Sequence, residues 1–188
     1  MSTAFLVFAA LLLGTGAMRL IELVVSVRRM NQRPDAVVAE PALFPLMAAL
    51  HTGLVVAPLA EVWFLDRPFV PSAAAASVAI LLAATGLRIW TLRTIGIAWN
   101  VRVVEPRNDT VVTGGPYAWI RHPNYVAVIL EILALPLFHG AWLSVLGLTA
   151  LNGLVLFFRI RTEEAVLLQV PAWREAMADR SRFIPGVF

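Results

Sequence analysis

Five apolar runs decide what this chain can fold into: residues 4–27, 42–65, 69–92, 126–138 and 142–158. A hydrocarbon core about 30 Å thick is crossed by about 20 helical residues, and three of the runs meet that length. The fourth has thirteen residues and rises about 20 Å, so it needs residues 121–125 to supply a further turn. Only His139-Gly140-Ala141 separates it from the fifth run, which predicts a tight helical hairpin. With 60% hydrophobic and 14% charged residues and a mean hydropathy of +0.79, the chain falls in the membrane class. The expected fold is an all-α integral membrane protein with five transmembrane helices.

Arginine orients the runs. All 15 basic residues are Arg, and they collect in alternate connections: Arg28, Arg29 and Arg33 after the first run, several after the third, and five after the last. The connection after the second run has one, and that after the fourth has none. The positive-inside bias then places the N-terminus outside, the C-terminus in the cytoplasm and the protein in the cell (inner) membrane. Arginines between apolar runs mark membrane flanks and not a nucleic-acid surface. The first run lacks a basic leader and is too long for a cleavable signal. There is no cysteine, and no second His or Cys stands at ligand spacing from His51, so metal binding is set aside. The expected division is residues 1–93 as three N-terminal helices and 94–188 as a functional core.

That core contains the polar residues. In the stretch 114–125, Gly114-Gly115-Pro116 cannot continue a helix, whereas Pro123 suits the first turn of one. A helix should therefore begin near His122, with free N–H groups and a positive dipole end beside Tyr117, Arg121, His122 and Tyr125. Such an end suits an anionic ligand with an aromatic ring, and equally suits an anchor at the lipid headgroups. Residues 101–104 and 110–113 read as a short hairpin or extended flap. Asn152, Arg159 and Glu163, seven and then four apart, form one stripe on the fifth helix and climb about 16 Å along it. Glu131, seven residues after Asn124, lies at membrane depth, where a carboxylate needs a partner or a cavity. Asn152 and a substrate group are its two candidate partners. Arg19 and Glu22, at i,i+3, read as a structural pair.

Gly115-Pro116-Tyr117, Arg121-His122-Pro123-Asn124-Tyr125 and, some forty residues on, Arg159-x-Arg161-x-Glu163-Glu164 resemble the isoprenylcysteine carboxyl methyltransferase family of integral membrane methyltransferases. The likeness runs from about Leu92 to the C-terminus, including Pro185-Gly186. It implies S-adenosyl-L-methionine bound from the cytosol in a pocket made by the last two helices and the C-terminal segment. Tyr117, Arg121, His122, Pro123, Tyr125, Glu163 and Glu164 would hold the cofactor. Arg159, Glu131 and Glu163 would serve the chemistry, and Glu131, Asn152 and Trp99 would meet a lipophilic acceptor entering from the bilayer. Residues 131–136 with Leu151-Asn152 look most similar to a bacterial branch that O-methylates alkylpyrones or alkylresorcinols. Carboxyl methylation of a prenylcysteine, an isoprenoid acid or thiol as acceptor, a phospholipid amine, and a non-enzymatic membrane scaffold are the alternatives.

Overall fold

The structure is a computed structural model, and it describes residues 2–32, 43–102 and 111–187. Its helices are α1 (Thr3–Asn31), α2 (Leu43–Leu65), α3 (Pro71–Ile95), α4 (Pro123–Leu137), α5 (Trp142–Leu167) and α6 (Pro171–Met177). Single 3₁₀ turns at Gly96–Ala98 and Gly115–Ala118 lead from α3 towards α4. Among the described residues, four helices are long and apolar enough to cross a membrane: α1, α2, α5 and α3 with its 3₁₀ extension. Leu20, Ile21, Phe64, Leu82 and Leu146 project outward from them, as lipid-facing side chains should. Residues 101–102 and 111–113 form no strand, and the rest of the expected flap lies outside the described residues.

α4 is the exception in length. Its 15 residues rise about 22 Å, less than the hydrocarbon thickness. It can be short because it is enclosed. Ala127, Ile132, Ala134 and Leu135 are almost fully buried, and the main core gathers Phe8 and Leu12, Leu50 and Leu54, and Leu148 from α1, α2 and α5 around it. On α3 the buried residues Ala74, Ser77, Ala84, Arg88 and Thr91 follow helical spacing. The small side chains of Ala74, Ser77 and Ala84 let α3 approach α4 closely enough for Ser77 Oγ to donate to the Ala134 carbonyl at 2.6 Å.

Helix ends follow from the sequence. Proline occupies the first turn of α3, α4 and α6, where its missing N–H is no loss. α5 has no cap of its own, because Ala141 stands at that position. Glu61 of α2 supplies it instead, accepting from the Leu143 N–H (3.1 Å), the Ser144 N–H (2.7 Å) and Ser144 Oγ (2.7 Å). The preceding hairpin turn needs Gly140 at φ +69°, where a Cβ would also stand 3.2 Å from the Pro68 carbonyl. The adjoining His139 is buried against Phe5, Phe8 and Phe69.

Charge inside the bundle is paired. Glu22 of α1 accepts from Arg19 Nη1 (2.8 Å) and from Arg88 Nε and Nη2 of α3 (2.8 and 2.6 Å). Arg19 Nη2 also reaches Glu131 of α4, which lies 4.0 Å from Arg88 Nη1. The Arg19–Glu22 pair thus forms as its spacing suggests. Glu131 departs from expectation: its partners are arginines of α1 and α3, not Asn152. Two cations and two anions make this node neutral, and it ties three helices together at a depth where an unmatched charge would be expelled.

Glu131→Leu should therefore cost about 3–5 kcal/mol, because it strands a buried guanidinium. Adding Arg19→Met should recover much of that loss. Reversible unfolding in detergent, run as a double-mutant cycle, measures both.

Candidate functional site

One cavity of about 850 Å³ runs through the described residues, lined by all the long helices, the 3₁₀ turns and α6. Its polar end lies where α4 starts and α5 emerges. Tyr125 is the hinge of that end. Its hydroxyl donates to Glu163 and accepts from Arg159 Nε at 2.6 Å, while the Arg159 guanidinium lies 5.7 Å from its ring centre. His122 stacks on the same ring, 5.2 Å between centroids and 20° from parallel. Arg159 also reaches Met47 Sδ on α2 and the Val101 carbonyl. Helical spacing puts Asn152, Val155, Leu156, Arg159 and Glu163 on one face of α5, and all five line the cavity.

Behind this wall stands a second charge cluster. Glu164 is buried and takes His122 Nε2 at 3.0 Å, Arg121 Nη1 at 3.1 Å and Arg182 Nη2 at 2.7 Å. The backbone joins the same parts. Arg121 and His122 N–H donate to the carbonyls of Ser181 and Arg182 at 2.9 and 3.1 Å, around a parallel bridge between Ile120 and Ser181. Glu164 therefore fastens the C-terminal segment to the entry of α4.

The start of α4 is consequently less open than its sequence suggests. Pro123 has no N–H, that of His122 goes to Arg182, and that of Tyr125 turns back to the His122 carbonyl at 3.1 Å. Unmet hydrogen-bonding capacity sits on side chains instead: Arg121 Nε and Asn124 Oδ1 are buried without a partner among the described residues, and both residues line the cavity. Burial first, and Glu163 second, push the Tyr117 hydroxyl well above the ordinary phenol range, so it remains a donor.

Of the residues singled out in the sequence, Tyr117, Arg121, His122, Pro123, Tyr125, Glu163, Arg159, Asn152 and Trp99 border this one cavity. Glu131 and Glu164 do not. Each is buried in a charge cluster beside the cavity, Glu131 holding arginines through Oε2 and Glu164 holding Arg121, Arg182 and His122. Sequence reasoning missed Trp173 and Met177 of α6, and the wall formed by α1 and α2. Trp173 carries no motif. The wall residues Leu13, Gly16, Ala17, Val55 and Val56 look like any lipid-facing helix until the two helices are seen side by side.

Fold and site together define a helical integral membrane protein built around one amphipathic cavity. Residues 77–169 match the isoprenylcysteine carboxyl methyltransferase (ICMT) family. The Bacillus subtilis protein YpbQ, itself uncharacterized, is 32% identical over 125 residues, covering 66% of this chain and 73% of that protein. The chain belongs to the ICMT family. The cobalt-zinc-cadmium resistance protein CzcN of Cupriavidus metallidurans is 35% identical over 114 residues, 57% of this chain and 51% of that protein. The solved eukaryotic intramembrane Ras methyltransferase ICMT superposes with a TM-score of 0.56 at 21% identity, over 77% of this chain and 53% of that one. The chain thus spans about half the length of CzcN and of the solved enzyme, and the latter likeness is one of fold.

Glu164→Gln should weaken the hold on Arg121 and Arg182 by about 3 kcal/mol. The Arg121 and His122 amides should then exchange with deuterium about a hundredfold faster, read by mass spectrometry of peptides covering 118–126. Unchanged exchange would mean that the backbone bridge holds without the charge cluster.

Proposed function

We propose that the chain is an S-adenosylmethionine-dependent methyltransferase acting on an oxygen of a lipophilic acceptor. The single observation that carries this is the convergence of His122, Tyr125, Arg159 and Glu163 on one cavity that continues between apolar helices. Methyltransferases of the family use S-adenosylmethionine, and the polar end fits it on chemistry of its own. Arg121, with its unpartnered Nε, and Asn124 suit the carboxylate and ammonium of the methionine part. Glu163 suits ribose hydroxyls, and Tyr117, Trp173 and Met177 suit the adenine. When bound, the cofactor supplies an electrophilic methyl on a sulfonium. The chain's own work is alignment and exclusion of water. Arg159 holds the Tyr125 hydroxyl, which holds Glu163, so the walls of the donor and acceptor ends are fixed to each other.

In this reading residues 94–188 form the methyltransferase core and 1–93 the membrane frame. α4 and α5 make a hairpin that brings the chain to five crossings with the N-terminus outside and the C-terminus in the cytoplasm. The acceptor's tail lies between α1 and α2, reached from the bilayer. Its oxygen is the hydroxyl of an alkylpyrone or alkylresorcinol. The second reading, methylation of a carboxylate such as that of a prenylcysteine, is favoured by one feature: the Arg159 guanidinium where the two arms of the cavity meet. Glu131 is bound through Oε2 into the Arg19–Arg88 node, so this reading assigns the chemistry to the residues around Arg159.

Calorimetry with S-adenosylhomocysteine tests the proposal. The wild-type protein should release binding heat, and Glu163→Gln and His122→Ala should each lower affinity ten- to a hundredfold, the loss of about 1.5–3 kcal/mol for a charged hydrogen bond. Absence of heat from well-folded protein, or equal affinity in both variants, would remove the donor site from this end of the cavity.

A further inference from the structure

α2 gives the cavity an imidazole that the proposed donor site does not use. His51 lines the cavity, and its Nδ1 lies 2.8 Å from the carbonyl oxygen of Met47, one turn earlier on the same helix. A carbonyl can only accept, so Nδ1 carries the proton and Nε2 keeps the lone pair. Nε2 has no hydrogen-bond partner among the described residues. The carboxylates and the second histidine lining the cavity each already hold a partner: Glu22 has Arg19 and Arg88, Glu163 has Tyr125 through one oxygen, and His122 has Glu164.

Position adds to chemistry. Arg159 touches Met47, so His51 sits one helical turn, about 6 Å along the axis, beyond that contact. The next turn of α2 brings Val55, which faces Gly16 of α1 in the apolar arm. A molecule whose tail occupies that arm and whose head reaches Arg159 passes His51 on the way. The charges facing the imidazole are Arg19 and Glu22 from α1 and Arg88 from α3.

We infer that His51 Nε2 takes the proton from an uncharged hydroxyl of the acceptor, which makes the acceptor a lipid-tailed phenol or enol rather than a carboxylic acid. This rests on the methyltransferase reading and sharpens it. As the hydroxyl oxygen forms its bond to the methyl carbon, the O–H proton passes to Nε2. The carbon–sulfur bond breaks with its electron pair kept by sulfur, and the imidazolium later returns the proton to water. A carboxylate acceptor, already ionised, would leave His51 idle.

The test begins without any methyl donor. A 4-nitrophenol bearing a dodecyl chain is added to the purified full chain in detergent, below the pH at which the free probe ionises. Wild-type protein should bind the probe and turn it yellow as the phenolate. His51→Asn keeps an amide N–H for the Met47 carbonyl but lacks the second nitrogen, and should bind the probe without colour. His51→Gln, which restores a polar but non-basic group near Nε2, should behave likewise. Colour in both variants equal to wild type, or none in wild type, overturns the inference.

With donor present, both variants should methylate a long-chain alkylresorcinol about a hundredfold more slowly. Their S-adenosylhomocysteine affinity should not change. Methylation of N-acetyl-S-farnesylcysteine alone by the wild type would overturn the role of His51 and leave the methyltransferase standing. Failure of the wild type to bind S-adenosylhomocysteine would overturn the methyltransferase, and with it this inference.

Discussion

Charge within this bundle has to be matched within it, and two of the clusters that do so among the described residues position α4. At mid-depth, Arg19, Glu22, Arg88 and Glu131 close a neutral node across α1, α3 and α4. Nearer the end of α5, Glu164 gathers Arg121, His122 and Arg182. Both clusters are built on α4 or its first residues, the helix too short to span a bilayer unaided. Tertiary ion pairs hold it where a longer hydrophobic run would otherwise be needed. Both clusters also contribute to the cavity wall, through Arg19, Glu22 and Arg88 from the first and Arg121 and His122 from the second, so most of the charge the cavity meets is already paired and the rest of its lining is largely apolar, the pattern of sites that orient a ligand in an apolar surround.

Much of this was legible from the residues. Apolar length identified the long helices, and Pro123 identified the start of α4. The stripe Asn152–Arg159–Glu163 was readable because helical periodicity survives any tertiary arrangement. What escaped was decided by partners distant in sequence. Glu131 and Glu164 have the composition of site residues, and nothing near them in sequence announces the partners Arg19 and Arg182 that draw them into charge clusters. The α4 N-terminus looked open for the same reason: the strand-like segment that occupies its N–H groups comes from residues 181–182. Glu61 capping α5 from another helix has no local signature either, since the capping position itself holds alanine.

The family match and the cavity do not coincide, and the mismatch is informative. Residues 77–169 contain Arg121, His122, Tyr125, Arg159 and Glu163, the polar end. The apolar arm is formed by α1 and α2, both outside that match, as are Trp173 and Met177. A frame of this kind separates two demands. Binding one constant polar cofactor needs directed hydrogen bonds that tolerate little change. Accommodating a tail needs only volume and apolar surface, which many sequences provide equally well.

The acceptor's ionisation state carries the consequence of that separation. A carboxylate brings its own negative charge and would have to be met by a cation, with the desolvation of both to be offset in a medium where neither is hydrated. Arg159 is already bonded to Tyr125, Met47 and Val101, so meeting a carboxylate would mean surrendering contacts that align Glu163. A neutral hydroxyl reaches the end of the cavity near Arg159 without that cost, and its proton leaves only as the methyl bond forms. An imidazole with one nitrogen tied to its own helix and the other turned to the cavity suits the second case, because it can accept a proton without first releasing a partner.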